Sequence, residues 1–305
     1  MLGIQNKDYV IKHSTVHGEL LIKEIDYDTA KWMIIDNHYS KKWNTAFGKI
    51  NYGIFRDDKL LGVAVYGNLM NPKSAYKLID SGKVIELNRL WIDDELGHNT
   101  ETIMLSATFT LLKNNTEYEL VQSFADGRLG VGTIYKASNF GYYGYEKSLF
   151  YESKLDSETY HQAPFDNTAR PKGFLLLNDK KLKGELKAFY VKTYRYLYPL
   201  KKKLKINLES EKYPSYEKGV EYVNIEWQIG VLCRLHLMYK DIGYDQGVEL
   251  TCSKLRELYD DETVKQELTK QKENEYYIEF RDNYDDKLWL KAKLENTLDE
   301  QLSLF

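Results

Sequence analysis

Cysteine is nearly absent from this chain. Of 305 residues only Cys233 and Cys252 are cysteines, and they form no CxxC pair. A disulfide-stapled secreted scaffold is therefore excluded, and a reducing cytoplasm is the expected setting. No His/Cys cluster has the spacing of a structural zinc site. No apolar run approaches the 18 residues that a membrane-spanning helix needs. Met1 to Val10 mixes Asp and Lys with few apolar residues, so it does not read as a signal peptide. Both a Walker-type phosphate loop and a GxGxxG fingerprint are missing, since Gly127-Arg-Leu-Gly-Val-Gly132 has the wrong spacing. There is no internal repeat and no low-complexity tract.

Apolar residues make up 43% of the chain, enough for a real core, and 305 residues suit one large or two ordinary domains. Tyrosine is abundant at 26, which fits strand and core packing. The formal charge of −3 conceals an asymmetry. Lys172 to Lys205 holds 11 basic residues against two acids, whereas Ile206 to Phe305 holds 22 acids against 13 bases. The basic stretch also carries Phe189, Tyr190, Tyr194, Tyr196 and Tyr198. Interleaved cations and aromatics suit a nucleic-acid backbone and its bases, here through Lys187, Lys192, Arg195, Lys201, Lys202 and Lys203. A solvated face is the commoner fate of such a run.

The densest information lies between Val84 and Glu152. Val84 to Ile92 is apolar and β-rich, and Asp93 to Asn99 breaks it. Thr100 to Leu112 repeats Ile103, Leu105, Phe109 and Leu112 at helical spacing. Leu120 to Phe124 reads as a second strand closed by Ala125-Asp126-Gly127, and a Gly-bounded helix with an aromatic strand follows from Gly132 to Gly144. This order sets a helix N-terminus beyond one strand and a loop carboxylate beyond the next, an arrangement suited to a phosphate-bearing cosubstrate. Elsewhere, residues 1 to 24 read as an extended arm or early strand. Asp26 to Ser40 reads as a helix with Asp28 as N-cap, and residues 41 to 52 as a polar loop. Ile54 to Tyr66 reads as a hairpin turning at Asp57-Asp58. Residues 153 to 183 look irregular around Pro164, Pro171 and Gly173. Glu185 to Leu200 reads as a strand ended by Pro199. Ile206 to Gly219 is the linker candidate. From Val220 onward the spacing turns helical, through Val223, Trp227, Val231, Leu235 and Met238 to an amphipathic Leu288 to Leu302.

At these residues the chain resembles the GNAT acyltransferase superfamily: the hairpin, the strand Val84–Ile92 and the Gly132–Gly144 unit stand in its order. Glu86-Leu-Asn-Arg-Leu90, Asn99-Thr-Glu-Thr102, Ser123-Phe-Ala-Asp126, Gly132-Thr-Ile-Tyr-Lys-Ala137 and His38-Tyr-Ser40 narrow the likeness to the phage Mom family, over about residues 25 to 215. The resemblance implies an α/β fold: a GNAT-like mixed, largely antiparallel sheet flanked by helices. Residues 1–215 would form the catalytic domain, and 216–305 an acidic helical domain without counterpart in the family. It also implies modification of the exocyclic amine of adenine in double-stranded DNA, with acetyl-CoA or a related acyl-CoA as cosubstrate. The strand with Arg89 and Leu90 would pair with pantetheine. Gly97, Asn99, Thr100 and Thr102 would hold the cosubstrate or cap the helix. The loop departs from the superfamily pattern, with one Gly and three acids between Asp93 and Thr100.

Tyr135 stands where the superfamily places the phenol that protonates the leaving thiolate. Asp126 could serve as base, orient the amine, or hold a metal; Asp before Gly is also an ordinary turn former. His38 and Tyr39 would face the base or a metal, although a lone His at a helix end is more often a packing or dipole partner. His38 and Asp126 are the first metal ligands to consider. Arg89, if buried, needs a carboxylate, and Glu86 or Asp126 could supply it. The family's carbamoylmethyl product is joined through CH2, which simple thioester attack does not make. Two other readings stand beside DNA modification. A GNAT enzyme acylating a protein amine or small molecule would keep the Tyr135 role without salt-sensitive DNA binding. A binding protein without chemistry would be indifferent to loss of Tyr135 or Asp126.

Overall fold

The computed structural model describes residues 3–5, 10–15 and 18–295. Eleven strands and eleven α-helices follow one another along them. They begin with β1 (Gly3–Gln5), β2 (Val10–Thr15), β3 (Gly18–Glu24), α1 (Tyr27–Asn37), β4 (Ile50–Arg56), β5 (Lys59–Gly67) and α2 (Ala75–Leu78). Then come β6 (Val84–Ile92), α3 (Thr100–Asn115), β7 (Leu120–Asp126), α4 (Thr133–Ala137), β8 (Gly141–Ser153), β9 (Thr159–His161), α5 (Ala163–Asp166), α6 (Pro171–Leu182) and β10 (Leu186–Pro199). The last are β11 (Glu221–Val223), α7 (Ile229–Ile242), α8 (Asp245–Leu258), α9 (Asp261–Lys272), α10 (Glu275–Asn283) and α11 (Lys287–Leu294). The mixed sheet, its flanking helices and the C-terminal helical region are those expected from the sequence.

Residues 1–146 and 192–219 form one compact unit; residues 147–191 and 220–305 form the other. In the first, strands run in the order β1-β2-β3-β4-β5-β6-β7-β10-β8. Each hydrogen-bonded pair from β1 to β6 is antiparallel, as is β7 with β10. β6 and β7 run parallel, joined by the α3 crossover that a parallel pair requires. β5 is buried on both faces, as a central strand should be. Val63 and Val65 meet Ala30, Met33 and Ile34 of α1, while Ala64 and Tyr66 share the larger core with Met104, Leu105 and Phe109 of α3. The β4–β5 turn holds Asp57 at φ 49° and Asp58 at φ 63°, the left-handed pair of a two-residue hairpin.

In the second unit, β9 pairs with β8 and β11 with β10. Its helical core gathers Phe174 and Leu175 of α6 with Leu235, Met238, Tyr277, Phe280 and Leu290.

Five sequence expectations change. Asp26, not Asp28, caps α1, accepting the Thr29 N–H at 2.8 Å. Residues 153–183 are not irregular throughout: Pro171 opens α6, because proline is suited to the first helical position. Residues 147–191 cluster with the helical region, so the observed division does not fall at residue 215. Residues 206–219 are no loose linker. Ile206 and Leu208 pack beside Leu120 and Leu197, and Tyr213 stacks on Tyr196. Val223, read as helical, lies in β11, and the helices start at Ile229. Of the expected helix Leu288 to Leu302, residues 296–302 lie outside the described residues.

Candidate active site

β6 and β7 pair over only three positions, Val84↔Leu120, Ile85↔Val121 and Glu86↔Gln122. Beyond them β6 continues along β5, and β7 continues along β10 as far as Thr193↔Asp126. The two strands therefore part, and a cleft opens between their C-terminal halves. β6 also bulges there. Tyr66 faces Leu87 and Val65 faces Arg89, so Asn88 has no partner on β5. A bulge re-aims the side chains beside it.

The floor of the cleft is polar. Glu86 is buried and accepts amide hydrogens from Asn88 Nδ2 and Gln122 Nε2, each at 3.0 Å. Burial still raises its pKa against these bonds. Ser123 lies within reach of the Leu87 carbonyl and the Tyr135 hydroxyl, each at 2.9 Å. Ser123 has one proton to donate to these two oxygens, so it serves one of them at a time.

Tyr135 projects from α4, stacked on Tyr196 with ring centroids 4.8 Å apart and edge-on to Phe140 at 5.2 Å. Its hydroxyl also reaches the Phe124 carbonyl at 3.2 Å. Burial pushes its pKa up to about 12, so it is a proton donor at neutral pH. Asp126 ends β7. Both of its oxygens accept from Arg128 Nε at 3.0 Å, and Oδ1 also takes the Arg128 backbone N–H at 2.9 Å. The sequence reading did not single out Arg128, although the Asp-Gly-Arg turn places it two residues on.

His38 caps the end of α1 and is buried; Tyr39 stands out beside it, with ring centroids 4.2 Å apart. The Ser40 N–H donates to His38 Nδ1 at 3.1 Å, which assigns the proton of the neutral ring to Nε2. Burial, then the Arg89 charge, lowers the His38 pKa to about 4. The Tyr39 phenol feels the charges of Asp126, Arg89 and Arg128, and the Tyr135 phenol those of Glu86 and Arg89. The fold thus brings His38, Tyr39, Arg89, Asp126 and Tyr135 into one electrostatic neighbourhood.

Arg89 takes neither expected carboxylate. Its guanidinium donates to the Asn88 carbonyl at 2.6 Å and lies over the Phe47 ring, 4.5 Å from the centroid. Its Nε is buried without a hydrogen-bond partner. Glu86 is held instead by amides, and Asp126 by Arg128. Leu90, next along β6, packs on the main core. As a metal pair, His38 and Asp126 fit poorly: Nδ1 and both carboxylate oxygens already accept N–H groups. No group of three His, Cys, Asp or Glu side chains among the described residues is placed to hold a metal ion.

At the start of α3, Gly97 (φ 76°) and Asn99 (φ 66°) turn the chain through left-handed conformations. Asn99 makes no side-chain cap. The Thr100 hydroxyl donates to the Leu96 and Gly97 carbonyls, and that of Thr102 to the Asn99 carbonyl. The hydroxyls thus brace the loop and do not cap the helix amides, contrary to expectation. Of the three loop acids, Glu95 is neutralised by Arg56 at 2.7 Å and Lys59 at 2.9 Å.

The basic stretch is largely spoken for. Lys192 pairs with Glu217 and Lys201 with Glu119, both at 2.7 Å, and Arg195 pairs with Glu146. Lys202 and Lys203 are exposed in the turn after β10, beside a cavity of about 470 Å3. Lys187 lies in the other unit. The six candidates do not form one free cationic stripe.

A family model described as the Mom protein family matches residues 19–215. The chain belongs to the Mom family. The matched span contains every residue of the cleft described above and ends before α7. Methylcarbamoylase mom of Escherichia phage Mu is 35% identical over 150 residues, 47% of this Mom-family chain. The chain covers only 61% of that relative's length. Among solved structures, an N-acetyltransferase from Staphylococcus aureus overlaps 59% of the chain and 97% of its own, with 11% identity and a TM-score of 0.32. A ribosomal L7/L12 α-N-protein acetyltransferase, RimL, in complex with coenzyme A overlaps 61% of the chain and 96% of its own, with 11% identity and a TM-score of 0.34. These overlaps are loose, and the description of the fold rests on the strand order itself. No helix among the described residues is long and apolar enough to cross a membrane.

Proposed function

We propose that this Mom-family chain is a transferase that places an acyl-derived group, of the carbamoylmethyl kind, on the exocyclic amine of adenine in double-stranded DNA. Such a mark would mask phage DNA from restriction nucleases inside the host cell. The observation that supports the reading is the match over residues 19–215, a span in which His38, Tyr39, Arg89, Asp126 and Tyr135 share one electrostatic neighbourhood.

The roles follow from the chemistry of each group. Tyr135, kept neutral by burial, donates its hydroxyl proton to the leaving group. Asp126, fixed by Arg128, faces the amine and accepts or steers its proton. Arg89 has no carboxylate partner and offers its charge to an anionic or carbonyl oxygen of the substrates. His38 Nε2–H is a neutral donor, and Tyr39 presents an exposed ring to the base. An acyl-CoA cosubstrate would supply an activated carbonyl, whose transfer with loss of the thiolate gives an N-acyl link; a carbamoylmethyl link requires a donor activated at the CH2 carbon instead. The edge of β6 beyond Asn88, left unpaired by β7, offers Arg89 and Leu90 to pantetheine-like amides; the Leu87 and Asn88 carbonyls already accept from Ser123 and Arg89. The α3 amides behind Gly97, Asn99, Thr100 and Thr102 suit its phosphates.

Nucleoside mass spectrometry on plasmid DNA from cells expressing the protein tests this. A new adenosine species is expected, its mass increment naming the group. Asp126→Ala should abolish it. Tyr135→Phe should lower it about 10²- to 10⁴-fold, the usual range for a lost general acid, while keeping the ring stack. Unmodified nucleosides alongside soluble protein would sink the reading. The glutamate pairs on Lys192, Arg195 and Lys201 favour one alternative, N-acylation of a protein amine or small molecule.

A further inference from the structure

The outer face of α1 breaks the usual pattern of a surface helix. Ala30, Met33 and Ile34 are buried, as an amphipathic helix requires. Yet Trp32 is 61% exposed and Ile35 42%, three residues apart and so on one face. Tyr39, 60% exposed, continues the apolar exposure just past the helix end. A patch this aromatic, left open to water, marks a contact surface.

Two observations say what covers it. The patch runs into the cleft: Tyr39 is its last member and feels Asp126, Arg89 and Arg128. Its charge is mixed along the helix, where Asp28 and Asp36 flank Trp32 at four-residue steps and Lys31 lies beside it, and turns cationic past Tyr39, where Lys41 and Lys42 follow as exposed side chains. Neighbouring Trp43 is not part of it, since its indole N–H is tied to the Tyr27 hydroxyl at 2.7 Å. At the Tyr39 end, next to the site, aromatic and apolar side chains beside lysines match stacked bases edged by phosphates.

On the reading that the substrate is adenine in duplex DNA, the amine must leave the base stack to reach the cleft. The gap left behind needs an apolar filler, the part that inserted wedges take in proteins that kink DNA. We propose that α1 is this wedge. Trp32 and Ile35 enter the duplex beside the extruded nucleotide, and Lys41 and Lys42 hold the flanking phosphates. The function of the cleft does not require this: a single-stranded adenine needs no extrusion.

That difference makes the test. Initial modification rates are measured on one sequence as duplex and as single strand, for the wild-type protein, Trp32→Ala and Trp32→Phe. Trp32→Ala is expected to lower the duplex rate at least tenfold more than the single-strand rate, and Trp32→Phe to restore most of the loss. In parallel, 2-aminopurine placed at adenine positions of the duplex should brighten on binding wild-type protein and far less with Trp32→Ala. Equal losses on both substrates, or none on either, would overturn the wedge while leaving DNA modification standing. So would a change of oligomeric state in Trp32→Ala, which would assign the face to a second copy of the chain. If wild-type protein modifies neither substrate, the functional reading fails and the wedge with it.

Discussion

His38 carries a consequence of burial that needs no substrate to observe. Its folded pKa, about 4, lies below the ordinary 6.5, so the folded protein refuses a proton that the unfolded chain accepts. Stability from this residue is therefore full above about pH 6.5 and drains away as pH falls toward 4. Between pH 7.5 and 4.5 the loss should be about 2–3 kcal/mol. His161 and His236 are also pushed down by burial and act in the same direction. The measurement is thus a difference: denaturant unfolding of wild type and His38→Gln at both pH values. The gap between them should narrow at pH 4.5, and parallel behaviour would refute a buried neutral His38. At this scale the sequence located the right side chains and misjudged their partners. Asp126 was visible as a loop carboxylate, but Arg128 lay inside a turn. Arg89 was expected to find a carboxylate and found a ring and a carbonyl, because the Asn88 bulge sets its direction. Bulges depend on register, which local composition does not carry.

Among the elements, those dictated by local chemistry were legible. The run Val84–Ile92 is a strand with the bounds read from its apolar residues. The Asp57-Asp58 turn was readable because Asp tolerates positive φ. α6 was hidden because Pro171 and Gly173 read as breakers, although a proline in the first turn starts a helix. The cleft itself was not legible: it exists because β7 leaves β6 for β10, some 70 residues later in the chain. A second element matters as much, the loop between α1 and β4, which supports Arg89 through Phe47. It is docked on β5 where Gly67 stands. A Cβ at Gly67 would lie 2.2 Å from the Ala46 carbonyl oxygen and 2.9 Å from Phe47 Cα. Gly67→Ala should therefore push the loop away, at about 1–3 kcal/mol of stability, the usual cost of overpacking. Modification should fall further than stability, because Arg89 loses its platform. Gly173→Ala is the control, with nothing within 4 Å of the new carbon. Equal melting temperatures for the two variants would show that the loop is not held where Gly67 meets Ala46.

Over the whole molecule, charge decides how DNA would be met. The sequence suggests a basic strand that tracks the phosphate backbone, because 11 cations stand against two acids between Lys172 and Lys205. Folding spends much of that excess internally, pairing Lys192, Arg195 and Lys201 with Glu217, Glu146 and Glu119. These glutamates come from segments distant in sequence, so only the fold reveals the neutralisation. The chain also carries a formal charge of −3, which gives long-range attraction to DNA little support. Binding should then rest on few phosphate contacts, two or three near α1, with aromatic insertion supplying the rest. Each contact contributes a slope of about −0.9 in log K against log salt. Affinity for duplex DNA should accordingly fall only about 10- to 50-fold between 50 and 200 mM salt, by the same relation. Lys192→Ala should leave that slope unchanged, and Lys41→Ala should reduce it by about one contact's worth. Fluorescence anisotropy titrations across the salt series would measure both. A slope matching six or more contacts, reduced by Lys192→Ala, would mean that the glutamate pairs open on binding and that the basic strand tracks the backbone after all.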